Sequence, residues 1–159
     1  MNRFTLALAL LLIATVHAEA QTAKDLIGTW SLVSVTVQQP DNGPITNDLG
    51  PNPQGRLSFD ANGDYSLIVM AGDLPKFTEN SRDKGSASEN EAVVKGSISH
   101  FGHYSVSDGD INYKIEYSTF PNWNTITQQR HFTISGDKLS YYFIPPTSNV
   151  TVRLVWQHM

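Results

Sequence analysis

The sequence predicts an all-β domain: an eight-stranded antiparallel up-and-down barrel with one short helix between strands 3 and 4. Three observations lead there. Apolar and polar residues alternate with period two along several runs, the mark of half-buried strands. Three Gly-containing steps sit between such runs where tight hairpins need them. One segment between residues 71 and 100 breaks the pattern and carries a helix start. Eight sequential strands can close on themselves and so remove exposed edges. A two-sheet sandwich is the competing architecture.

The elements follow in order. The first twenty residues read as a secretory leader: Asn2 and Arg3, the apolar run Phe4 to Val16, then the small-x-small step Ala18-Glu19-Ala20. Cleavage is expected after Ala20. The apolar run is short of the roughly 20 residues a membrane span needs. Residues 21–159 then form one domain, large enough to bury a core. The expected location is secreted or periplasmic. The chain has no cysteine, so neither disulfides nor a lipid-modified N-terminal cysteine is available.

The first strand is 28–38, opening on Gly28-Thr29-Trp30. Residues 39–54 follow as a loop that the Pro and Gly at Pro40, Gly43, Pro44, Gly50, Pro51 and Pro53 bar from strand or helix. Three hairpins are expected: 55–60 with 64–70, 101–107 with 110–118, and 127–135 with 138–144. Their turns carry Asn62-Gly63, Asp108-Gly109 and Ser135-Gly136. Residues 79–88 are a polar loop. Ser88 with Glu91 three residues on predicts a capped helix near 89–99. The strand 150–157 closes the series.

Charge narrows the function. The net charge is −4, and no basic cluster tracks along any strand, so nucleic acid is not an expected partner. No G-x-S-x-G step, phosphate loop or dinucleotide fingerprint is present, and no cofactor is expected. His100, His103 and His131 invite a metal reading. The first two are three apart on a predicted strand, where such positions face opposite sides. No metal site is predicted. One buried and two surface histidines is the preferred reading. Asn149-Val150-Thr151 is a glycosylation sequon only in a host that glycosylates.

Gly28 and Trp30 match a G-x-W signature, and Arg153 in "TVRLVW" stands on the last strand. The ordered runs "PQGRLSFDANGDYSLIVM", "SHFGHYSVSDGDINYKIEYSTFPNW" and "RHFTISGDKLSYYF" extend the match over residues 25–157. On these the chain resembles the bacterial and fungal lipocalin-like domain family of the calycin and lipocalin superfamily. The resemblance implies a barrel with an internal cavity. It also implies that Arg153 covers the Trp30 ring at the closed end, with Gly28 letting the chain cross the base, a structural role. It implies no single activity.

An eight-stranded barrel can hold one small ligand. The candidate lining is Tyr65, Phe101, His103, Tyr113, Tyr117, Trp123, Arg130, Phe132 and Tyr141. Tyr104, Phe120, Tyr142 and Phe143 complete an aromatic inventory that serves core packing equally well. Arg130 can bind an acid group or pair with a neighbouring carboxylate. The leading expectation is an exported protein binding a small hydrophobic or amphipathic molecule. The alternative is a cofactor-free cyclase or isomerase, with His103, His131 or Tyr117 as proton-transfer candidates. Glu116 with His131 is a further carboxylate–imidazole candidate. A non-catalytic surface or stress-related module is the third reading.

Overall fold

Tight turns organise the chain into neighbouring strands. A computed structural model describes residues 21–159, so the expected leader lies outside the described residues. The strands are β1 (Gly28–Gln38), β2 (Ile45–Thr46), β3 (Gln54–Phe59), β4 (Asp64–Met70), β5 (Ser97–Ser107), β6 (Asp110–Ser118), β7 (Thr127–Ser135), β8 (Lys138–Phe143) and β9 (Thr151–His158). Two helices accompany them, α1 (Ala23–Leu26) and α2 (Ala87–Lys95), with a 3₁₀ turn at Pro121–Trp123. Every neighbouring pair is antiparallel, and β1 pairs with both β3 and β9. The eight long strands therefore close into a barrel, each with a pairing partner on both sides.

The loop expected over 39–54 does contain a strand. Ile45 and Thr46 pair with Gln38 and Val37. Two residues fit between Pro44 and the Pro51–Pro53 stretch without asking proline for a ladder hydrogen bond. With β2 counted, the helix lies between the fourth and fifth strands.

That helix starts two residues early. The stretch "SASENEA" holds two overlapping cap patterns, and the chain uses Ser86 with Glu89 rather than Ser88 with Glu91. Ser86 Oγ accepts from Glu89 N, and Glu89 Oε2 accepts from Ser86 N at 2.8 Å. Glu89 Oε1 also accepts from both N and Oγ1 of Thr78 at 2.8 Å. Only the earlier register ties the preceding loop to the helix. The Ser86 N–H, then the Thr78 donors, hold the Glu89 carboxyl down to about 2. Gly96 ends the helix, and β5 begins at Ser97, four residues before the expected start.

The base half of the barrel is solid. Trp30, Phe59, Ile111, Phe132, Leu139 and Trp156 are buried there. Trp30 is 1% exposed, and its Nε1 donates to Leu26 O at 2.8 Å. Its ring meets His158 edge-on, with centroids 4.7 Å apart and planes at 88°. The expected Arg153 cover is not there. Arg153 is opposite Thr36, at the far end of β1 from Trp30. It faces outward between the inward residues Leu154 and Val152, lies 5.3 Å from the Tyr142 ring and donates to Ser140 Oγ at 3.2 Å. His158 pairs with Trp30 instead. Gly28 fits this arrangement: its φ is +130°, and a Cβ would lie 2.5 Å from His158 Nε2.

One irregularity shapes the opposite half. The β5–β6 register shifts after Phe101–Tyr117, so Gly102 pairs with Ile115 and Glu116 is the extra residue. A Cβ on Gly102 would lie 2.2 Å from the Lys114 carbonyl oxygen. Gly102→Ala should lower the urea unfolding free energy by about 2–3 kcal/mol, the scale of overpacking against a rigid neighbour. An unchanged midpoint would show that the strands do not approach so closely.

Candidate functional site

The upper half of the barrel is hollow. A cavity of about 110 Å³ lies between the sheet faces. Val35, Leu67, Val69, Ile98, Val152 and Leu154 supply its apolar wall. Leu49 from the β2–β3 loop, Trp123 from the 3₁₀ turn and Phe143 at the end of β8 complete it. Four polar side chains face the same space: His100, Tyr113, Arg130 and Tyr141. An engineered apolar cavity of about 150 Å³ takes benzene, so this one fits a small ring or a few carbons.

Arg130 is the unusual member. It is 7% exposed and stands on β7 among inward-facing Gln128 and Phe132. Its Nη1 donates to Gln129 O at 3.0 Å and its Nη2 to Gln128 Oε1. Its Cζ lies 3.8 Å from the Phe143 ring centroid. Among the described residues no carboxylate forms an ion pair with it. Burial pulls its pKa below the usual arginine value, and the nearby Tyr141, Tyr113 and Tyr65 oppose that. Arginine stays charged through such shifts.

Tyr113 and Tyr141 face the cavity, and Tyr65 lies behind them. Tyr65 and His100 Nδ1 share a 2.8 Å hydrogen bond. Tyr113 packs edge-on to Tyr65, and its hydroxyl is buried with no hydrogen-bond partner among the described residues. Burial pushes Tyr65, Tyr113 and Tyr141 up, while Arg130 holds each of them lower than burial alone would. A buried hydroxyl without a partner costs roughly 1–3 kcal/mol, so Tyr113 has an acceptor to gain.

His100 is 6% exposed, and its pKa falls to about 4 through burial first and Arg130 second. It is neutral at pH 7. Its folded pKa lies below the ordinary value near 6.5, so the unfolded chain binds more protons between the two. Stability contributed by the neutral ring is present above pH 6.5 and is lost as pH falls toward 4. The loss reaches about 3 kcal/mol. Urea unfolding of wild type minus His100→Gln should show that slope between pH 7 and 4. A parallel pair of profiles would remove His100 from the buried layer.

The sequence candidates separate into three groups. Tyr113, Trp123, Arg130 and Tyr141 line the cavity. Tyr65 sits behind His100, and Phe132 lies in the buried core without touching the hollow. Phe101, His103 and Tyr117 are on the outer face, and so is His131. Tyr117, 64% exposed, is turned out by the extra residue Glu116, which reverses the alternation of Ile111, Tyr113 and Ile115. It packs against Phe101 outside, with ring centroids 6.0 Å apart. His103 lies between Asp64 and Glu116, 2.5 and 3.1 Å from their carboxylates. His131 meets Asp110 at 3.2 Å, not Glu116. The three histidines therefore do not converge, and His103, His131 and Tyr117 do not reach the cavity as proton-transfer groups.

Cavity residues outside the candidate lining include His100, Ile98 and Phe143. The signal for the first two was the alternation Ile98, His100, Tyr104 on a strand that starts at 97. A helix drawn to 99 concealed it.

Comparison with known proteins matches the fold. A family model described as a lipocalin-like domain matches residues 27–158. A search of the curated proteins finds no significant match. Among solved structures, a redesigned β-barrel is similar at 16% identity and a TM-score of 0.43, covering 90% of this chain and 99% of its own. The closed barrel, its hollow upper half and the family match over nearly the whole described chain lead to one conclusion: this protein belongs to the lipocalin-like domain family.

Proposed function

We propose that the protein is an exported binder of a small amphipathic acid, held in the upper cavity with its anionic group on Arg130. The observation that carries this is a buried guanidinium on an apolar cavity wall with no carboxylate partner among the described residues. Desolvating a charge costs several kcal/mol unless a counter-charge returns it. A bound carboxylate supplies that counter-charge, and the unpartnered Tyr113 hydroxyl supplies a further donor. The apolar wall takes the remainder of a compact molecule. Export rests on the leader-like residues 1–20, and N-terminal sequencing of the exported protein tests it: a chain beginning at Gln21 is expected, and one beginning at Met1 opposes it.

Calorimetric titration with phenylacetate and its neutral counterpart phenylacetamide tests the charge. Phenylacetate should bind at least tenfold more tightly at pH 7. Equal affinities, or none for either, would contradict the reading.

A second reading keeps the cyclase or isomerase class. The Tyr65–His100 hydrogen bond beside the cavity favours it, since a neutral imidazole there can relay a proton to a bound substrate. Acceleration of phenylpyruvate enol–keto conversion by wild type, lost in His100→Gln, is its expected signature. No acceleration by wild type counts against it.

A further inference from the structure

The barrel wall is split beside the cavity. β7 pairs with β6 from Thr127 onward, with Lys114 opposite Thr127 and Asp110 opposite His131. It pairs with β8 only from His131–Tyr142 to Ser135–Lys138. Residues 127–130 therefore have a strand on one side alone. The sequence explains why. After Phe143 the chain reads Ile144-Pro145-Pro146, and two consecutive prolines have no N–H with which to extend the ladder.

A hollow of about 490 Å³ occupies the split, lined among others by Ile126, Gln128, Ile144 and Pro145. Ile126 and Ile144 are 39% and 59% exposed. Three side chains line both this hollow and the inner cavity: Trp123, Arg130 and Phe143. The stacked Arg130–Phe143 pair thus stands at the junction of two compartments. Arg130 uses two of its five N–H donors on Gln128 and Gln129, which leaves the others for a ligand.

We infer that the outer hollow is a second compartment of the same site, and that the ligand is an acid whose anionic group lies between two apolar arms. One compact arm fills the inner cavity. The other lies in the wall split against Ile126 and Ile144. The anionic group meets Arg130 between them. The inner cavity alone is too small for more than one small ring, while the hollow outside it is several times larger. The inference rests on the anion-binding reading above and adds where the rest of the molecule goes.

Two probes on the full chain separate them: phenylacetate, with one arm, and 2-phenyloctanoate, with a second arm on the carbon that bears the carboxylate. Wild type should bind 2-phenyloctanoate at least tenfold more tightly. In Ile144→Asp and Ile126→Asp, each with its side chain already partly in water, the ratio of the two affinities should fall below threefold. Phenylacetate binding in each variant reports an intact cavity. A wild-type ratio below tenfold overturns the second compartment and leaves the cavity reading standing. So does a ratio that survives both substitutions, which would place the second arm elsewhere, such as the groove of Val93, Phe120 and Trp123 beside α2. Failure of wild type to bind either probe overturns both.

Discussion

Arg130→Met should make the unliganded protein more stable and at the same time abolish its preference for an acid. The two effects have one cause. In the empty barrel the guanidinium is buried against Phe143 without a carboxylate among the described residues. Replacing even a buried ion pair by apolar groups of similar volume is often neutral or stabilising by about 1–4 kcal/mol, and a buried charge without a counter-ion has less attraction to lose. Methionine keeps the stem that packs on the cavity wall and drops the charge. Urea unfolding should move upward by that amount. The loss of binding comes from the other side of the same account: an anion brought into the cavity would then have no counter-charge, which costs about 2–5 kcal/mol of affinity. A variant that lost stability and kept phenylacetate binding would show that Arg130 is a structural residue held by Gln128 and Gln129.

Trp30→Ala should cost about 3–5 kcal/mol, as truncation of a buried aromatic does. Trp30 is 1% exposed and plugs the base, its N–H spent on Leu26 O and its ring on His158. Removing it uncovers fully buried Leu26 as well. The loss should fall on stability and leave the affinity ratio of phenylacetate to phenylacetamide unchanged, because the cavity lies in the other half of the barrel. Arg153→Ala is the contrast. That side chain is exposed and meets the Tyr142 ring and Ser140 Oγ, so its cost should stay under about 1 kcal/mol. A large loss for Arg153 and a small one for Trp30 would reverse the description of the base.

The strands were legible because their turns were. Asn62-Gly63, Asp108-Gly109 and Ser135-Gly136 each close a hairpin; the first two pair within a residue of the expected bounds, and the third pairs only over 131–135 with 138–142. Arg153 was misplaced although the sequence held the answer. Inward Leu154 and Trp156 are one and three residues away, so strand parity alone puts Arg153 outside. Other errors had causes that no local pattern shows. The extra residue Glu116 reverses the facing of Tyr117, and its only trace is Gly102 on the partner strand, where two backbones meet. The two cap registers in "SASENEA" differ in a contact with Thr78, eleven residues away from Glu89. The helix then ends at Lys95, and β5 from Ser97 carries Ile98 and His100 on the cavity wall. Arg130 was legible as a candidate, but not as a charge lacking a partner, because that depends on strands distant in sequence.

An acid in the upper cavity should meet Arg130. Nitrogen-15 NMR of the protein titrated with phenylacetate at pH 7 reads this directly, through the Arg130 side-chain N–H and the backbone amides. The predicted result is a shift of the Arg130 side chain together with the amides of Ile98, His100, Tyr113 and Phe143, all on the cavity wall. Shifts gathered instead around Phe101 and Tyr117 on the outer face, with Arg130 unmoved, would contradict it.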